Sequence, residues 1–312
     1  MSQTILESEK IATRQAYGTG LVELGNVHDN MVVLDAETSN STYAEKFKEA
    51  FPDRYIECFI AEQNMVSMAL GLSRRGKVPF VSTFAAFFTR AFDQIRMSQY
   101  SDPNIKFVGS HSGVSIGEDG SSQMALEDLA MFRSVGDMTV LYPSDATSTK
   151  ALMKQAYEHK GNVYIRTTRA QTEVLYSSKE EFRIGGSKTL FESDQDIATV
   201  IGAGITLHEA VKAYHELKSS SNTLIRVIDL YSVKPLDLET IKKACNETQA
   251  LVVVEDHRKE GGIYEAVCGS GCVTVPVYSL AVNKMPRSGT PKELLRYEEI
   301  DAQAIIKSIN RI

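Results

Sequence analysis

The 312-residue chain is 43% hydrophobic and 24% charged, which excludes a disordered polypeptide and leaves room for two buried cores. A formal charge of -6 and a pI near 5.6 give no global attraction to nucleic acid. The longest apolar stretches fall far short of a membrane span, and Met1-Ser2-Gln3-Thr4 lacks a basic leader, so a cytoplasmic protein without membrane or nucleic-acid partners is expected. Cys58, Cys245, Cys268 and Cys272 include one pair separated by three residues, but no partner pair or histidine cluster follows at zinc spacing. Buried or incidental thiols are expected, and no metal ligands.

The segment Glu9 to Leu24 has apolar positions at helical spacing and contains Ala12-Thr13-Arg14-Gln15; on that pattern alone Arg14 reads as a solvated helix arginine sooner than as a ligand. A strand from Met31 to Leu34 ends in the polar run Asp35 to Thr42, a strand-end loop of the kind that carries ligand groups, where Ser41 needs no special explanation. The strand Ile56 to Ile60 gives way to a helical pattern with Met65, Met68, Ala69 and Leu72 on one face. Glu62 stands at that junction, where the helix dipole favours its charge, so an ordinary acidic first-turn residue is one reading. After a strand from Lys77 to Ser82, the run Thr83-Phe84-Ala85-Ala86-Phe87-Phe88-Thr89-Arg90 places three phenylalanines within five residues. That exceeds what one helix face needs, and Ser82-Thr83 suit a helix start. A carboxylate beside an aromatic wall suits a flat, basic heterocycle.

The strand Ile105 to Gly109 leads into Ser110 to Gln123, a window with three glycines, His111 and Asp119. It reads as a tight polar loop, and it lacks the lysine and helix-start spacing of a phosphate-binding glycine loop. His111 could cap local backbone and Asp119 could close a turn. A helix is expected at Ala125 to Arg133, a strand at Thr139 to Tyr142, a helix at Thr147 to Glu158 and a strand at Val163 to Ile165. Arg166 and Arg169 follow, as solvated surface or as forks for a phosphate. A link at about 175 to 195 precedes a second α/β unit: strands Ile197 to Gly202, Ile225 to Asp229 and Leu251 to Glu255, with helices Thr206 to Ser219 and Leu238 to Ala244. Gly202-Ala203-Gly204 is better explained by close helix packing than by a nucleotide, because the full glycine pattern is missing. The expected fold class is α/β, two consecutive domains with largely parallel sheets covered by helices.

Three runs, Ile60 to Met68, Ser82 to Arg96 and Gly109 to Arg133, resemble the pyrimidine-binding domain of the transketolase family, most of all its animal branch. Ala12-Thr13-Arg14, Gly117-Glu118-Asp119-Gly120 and Pro286-Arg287-Ser288-Gly289 occur in the expected order, and the likeness extends from about Ala12 to about Ile306. It implies a pyrimidine-binding domain at 8–178, a linker at 179–192 and a transketolase C-terminal domain at 193–312. It also implies thiamine diphosphate as cofactor. Glu62 would bond the ring nitrogen N1', and Phe84 and Phe87 would hold the aminopyrimidine, Phe87 by stacking. His111 would be a catalytic and substrate ligand, Asp119 a hydroxyl acceptor and Gln123 a variant sugar contact. Arg14, Ser41 and Arg169, in preference to Arg166, would hold the phosphate of a sugar phosphate. His257 would have a structural or interface role.

The family's diphosphate-binding domain is not recognisable in these residues. The resemblance therefore implies the C-terminal subunit of a split transketolase, self-associating and paired with a separate N-terminal subunit in a heterotetramer, with Mg2+ or Ca2+ bound mainly by that partner. Met1-Ser2-Gln3 favours independent translation over a fragment cut from a longer enzyme. Ketol transfer from a ketose phosphate to an aldose phosphate is then the expected activity. Two alternatives remain at this point: specialisation for another phosphorylated or sulfonated sugar, and a noncatalytic binding or regulatory subunit that retained the fold.

Overall fold

The computed structural model describes residues 9–312. Residue 8, the expected domain start, and the opening Met1-Ser2-Gln3 lie outside them. The architecture is two consecutive α/β units. The first is a seven-stranded sheet in the spatial order Ser232–Lys234, Thr139–Leu141, Val163–Arg166, Lys106–Ser110, Val78–Phe84, Met31–Asp35, Tyr55–Glu57. All neighbours run parallel except the Ser232–Lys234 strand, which is antiparallel to Thr139–Leu141. Met31–Asp35, Val78–Phe84 and Lys106–Ser110 are buried along their whole length, as strands covered on both faces must be.

That parallel arrangement positions the site. The register pairs Asp35 with Ser82, Phe84 with Ser110 and Gly109 with Arg166, so the carboxyl ends of four strands lie along one edge. The loops carrying Ser41, Phe87, His111 and Arg169 all leave the sheet at that edge, the usual place for a ligand in an open parallel sheet.

The second unit is a five-stranded sheet in the order Val277–Leu280, Leu251–Val254, Thr199–Gly202, Arg226–Asp229, Lys188–Phe191, with only the last strand antiparallel. One apolar cluster joins the two units: Phe88, Phe107, Phe132 and Tyr164 share it with Ile201, Ile228, Leu251 and Val253. Tyr142 is wholly buried and approaches the backbone of Gly204 so closely that a Cβ there would lie 2.1 Å from its ring. Gly204 also has φ +57°, so both sterics and backbone require glycine. This supports the packing explanation of Gly202-Ala203-Gly204.

Several expected elements differ. Residues Lys10–Ala12 are a strand antiparallel to Gln171–Glu173, and the helix starts only at Thr13, because Ala12 is extended at φ -71°, ψ 142°. Ser82 and Thr83 do not start a helix: they lie inside the Val78–Phe84 strand, where Ser82 Oγ donates to Asp35 Oδ2 at 2.9 Å. The aromatic run that follows is a 3-10 segment, Ala85–Ala91, continuing into the helix Phe92–Ser98. Part of the expected link, Lys188–Phe191, is the edge strand of the second sheet. Among the described residues no helix is long and apolar enough to cross a membrane.

Candidate functional site

Arg14 enters the site one residue into the helix Thr13–Gly25. Its Nη1 donates to the carbonyl of Ser41 at 2.7 Å, and its guanidinium lies 5.3 Å from the centre of the Tyr43 ring. Asp35 holds that loop in place. Its carboxylate accepts from Thr38 N at 2.6 Å, Thr38 Oγ1 at 3.0 Å and Thr42 Oγ1 at 2.8 Å. Burial raises Asp35 to about 6, with the bonds from Thr42, Thr38 and Ser82 pulling the other way. Ser41 thus meets Arg14 through its main chain rather than through its hydroxyl.

Arg169 approaches from the opposite side. Its Nη1 donates to Ile116 O at 3.0 Å and lies 3.0 Å from Asp119 Oδ1 and 3.9 Å from Glu118 Oε2. Arg14, Tyr43, Ser115, Ile116, Glu118 and Arg169 line one cavity of about 300 Å3. Arg166, three residues earlier, is fully buried and bonded to Asp128, so it does not face this cavity. Gln123 is half-buried and makes no side-chain hydrogen bond among the described residues.

His111 links the cavity to an aromatic ladder. It has φ +57°, an uncommon conformation for a residue with a side chain and one that clusters at functional sites. Its ring stacks on Phe84 at 3.7 Å, and its Nδ1 lies 2.9 Å from Ser110 Oγ. Nε2 points towards Asp119 Oδ2 at 4.0 Å. Burial, then the charges of Arg14 and Arg169, push His111 down to about 3, so the imidazole is neutral at pH 7 and offers one donor and one acceptor. Phe84 stacks in turn on Phe87 at 5.1 Å.

Glu62 closes the ladder. It is the first residue of the helix Glu62–Arg74 and is only 1% exposed. Arg90 Nη1 lies 3.2 Å from its Oε2, and the same guanidinium sits 5.3 Å from the centre of the Phe87 ring. A buried carboxylate, an aromatic face and the unpartnered buried hydroxyl of Thr83 beside Phe84 are groups that fit an aminopyrimidine. A base entering here meets a carboxylate already paired. Among the described residues no group of three or more His, Cys, Asp or Glu could hold a metal ion.

Arg90 and Tyr43 join the site without having been singled out in the sequence. Arg90 carried a signal, a lone cation closing an aromatic run; Tyr43 carried none, since it meets the site through Arg14 and Gln15, almost thirty positions earlier. His257 is fully buried, with Nε2 3.8 Å from Asp128 Oδ1, away from the cavity.

The model of the transketolase pyrimidine-binding domain matches residues 9–174, and that of the transketolase C-terminal domain matches residues 187–305. Mouse transketolase-like protein 2 is 55% identical over 305 residues, covering 96% of this chain and 48% of the relative. Human transketolase is 52% identical over 305 residues, covering 96% and 49%. The chain therefore spans about half the length of the curated relatives it matches. A solved split-gene transketolase, described as an inactive β4 tetramer, superposes with a TM-score of 0.87 at 37% identity and covers 97% of this chain and 98% of its own. Transketolase from Campylobacter jejuni, at TM-score 0.83 and 18% identity, shares the fold.

The split-gene relative, described as an inactive β4 tetramer, corrects the expectation that this chain, joined to an N-terminal subunit, is an active ketol transferase. Fold and family stand without the activity. With both domain models matched in order and relatives of about half identity aligned over nearly all its length, the chain belongs to the transketolase family.

Proposed function

We propose that this chain is a noncatalytic, self-associating subunit that keeps the transketolase fold and binds phosphorylated sugars. The convergence of Arg14 and Arg169 on one cavity carries the reading. Guanidinium forks match phosphate oxygens in geometry and charge, while Asp119 and the neutral His111 beside them suit sugar hydroxyls; Ser41 and Gln123 are assigned to the rim. Glu62, Phe84 and Phe87 are assigned to the aminopyrimidine of thiamine diphosphate. When bound in a catalytic setting that cofactor stabilises a carbanion; here it is a ligand. Its diphosphate and Mg2+ or Ca2+ fall to a separate N-terminal subunit, in a heterotetramer.

Self-association is supported by the β4 assembly of the split-gene relative. We place the chain in the cytoplasm, since Cys58, Cys245, Cys268 and Cys272 are all free thiols, as in a reducing compartment.

Calorimetric titration with ribose 5-phosphate and with ribose tests the pocket. Ribose 5-phosphate is expected to bind and ribose to bind far more weakly. Arg169→Ala should cost about 1.5 to 3 kcal/mol for the phosphorylated sugar, roughly a 10- to 150-fold loss of affinity. Equal affinities for the two sugars would remove the phosphate assignment. Ketol transfer upon mixing with an N-terminal transketolase subunit would remove the noncatalytic reading.

A further inference from the structure

Beside Pro291, which lines the anion cavity directly, the second domain holds one cavity loop through a buried carboxylate. Asp256 lies two residues beyond the Leu251–Val254 strand and is fully buried. Its Oδ1 accepts from Val114 N at 2.7 Å and its Oδ2 from Ser115 N at 3.3 Å. Both donors belong to the loop of the first domain that carries His111 and Asp119. A Cβ on Gly113, which has φ +79°, would lie 2.1 Å from Asp256 Oδ2, so the loop has no side chain there because the carboxylate fills the space. Asp256 is itself held from behind, since its carbonyl accepts from Arg166 Nη2 at 2.9 Å.

The held segment is the cavity wall. Ser115 and Ile116 line it, and Ile116 O fixes Arg169 Nη1. We infer that Asp256 is a positioning residue through which the C-terminal domain sets the anion pocket of the pyrimidine domain. This assignment rests on the phosphate-binding reading above. Charged acceptors bond backbone N–H groups more strongly than neutral ones do, and two such bonds fix both the position and the tilt of the Val114-Ser115 peptide. The C-terminal domain also lends Pro291 to the cavity lining, but its charged hold on the Val114-Ser115 peptide is Asp256.

Asp256→Asn keeps the size but loses one acceptor, setting an amide donor against a backbone donor. The affinities of the full chain for inorganic phosphate and for ribose 5-phosphate are expected to fall roughly 10-fold, the weight of one charge-assisted contact. Hydrogen exchange should quicken at Val114 and Ser115 while the amides of Leu251–Val254 keep their protection. Should Asp256→Asn fail to fold, Val114→Pro removes the shorter bond while keeping a small apolar side chain at this buried position. Val114 is the first residue of a 3-10 turn, after Gly113 at φ +79°, ψ 178°; proline's φ suits such a first position, and the same direction of change is expected. Wild-type binding with unchanged affinity and unchanged loop exchange in the variant that folds overturns the positioning role. Absence of binding in the wild type overturns the phosphate pocket itself, and the assignment with it.

Discussion

Asp128→Ala is expected to destabilise the fold by about 3–5 kcal/mol, the range for breaking one side of a buried ion pair. Asp128 is 1% exposed, and Arg166 is wholly buried. The carboxylate accepts from Arg166 Nε at 2.8 Å, from Arg166 Nη2 at 3.1 Å and from Tyr164 OH at 2.6 Å. Burial alone would raise Asp128; Arg166 more than offsets it, and the carboxyl is held below its usual range. Removing the carboxylate strands a guanidinium with no exit to water. Arg166 also donates to Ala125 O and to Asp256 O, so Arg166→Met in the same background recovers only part of the loss. The midpoint of urea unfolding, followed in a double-mutant cycle, measures the coupling. A loss below about 1 kcal/mol for Asp128→Ala would show that the pair is hydrated in solution and contributes like a surface bridge.

The strands that were legible in the sequence are those buried on both faces, because a short apolar run bounded by polar turns has few other uses. Met31–Asp35, Val163–Arg166 and Leu251–Val254 are of this kind. The edge strand Tyr55–Glu57 was read too far along the chain, as Ile56 to Ile60, and two other edges were not legible. Ser232–Lys234 is three residues long and exists by pairing with Thr139–Leu141 almost a hundred positions earlier, and Val277–Leu280 is an edge strand that is buried nowhere along its length. The site divides in the same way. Local chemistry marked Glu62 and the phenylalanines, whereas the meeting of Arg14 with Arg169 depends on how the sheet brings distant strand ends to one edge. The resemblance to the transketolase family, rather than spacing, brought those arginines together. It also suggested an activity that the split-gene relative, described as an inactive β4 tetramer, does not support.

Asp229→Asn is expected to change the pH dependence of stability by an amount on the order of 4 kcal/mol across the whole titration. Asp229 is completely buried at the end of the Arg226–Asp229 strand, accepting from Ser144 Oγ at 2.8 Å and from Tyr176 OH at 2.7 Å. Burial raises it to about 7, only partly countered by these two bonds. Between about pH 4 and pH 7 the folded chain therefore holds a proton that the unfolded chain has released. Its contribution to stability is full at low pH and is lost as the pH rises to 7.

Other groups titrate in the same range. Glu255, raised by burial to about 8, adds to the fall. His111 and His257, lowered by burial to about 3 and about 4, oppose it at acid pH, and Lys106, lowered by burial to about 7, opposes it above neutrality. The difference between variant and wild type cancels these terms and leaves that of Asp229. Asparagine cannot titrate but retains an acceptor for one of the two hydroxyls, and Tyr176 can turn its own oxygen to the amide. Relative to wild type, Asp229→Asn should therefore gain about 2 to 3 kcal/mol between pH 5 and pH 8. Urea unfolding of both proteins at those two pH values tests it: a constant difference would mean that Asp229 ionises in the folded chain much as it does in the unfolded one, and that its two hydroxyl partners suffice to hold a buried charge.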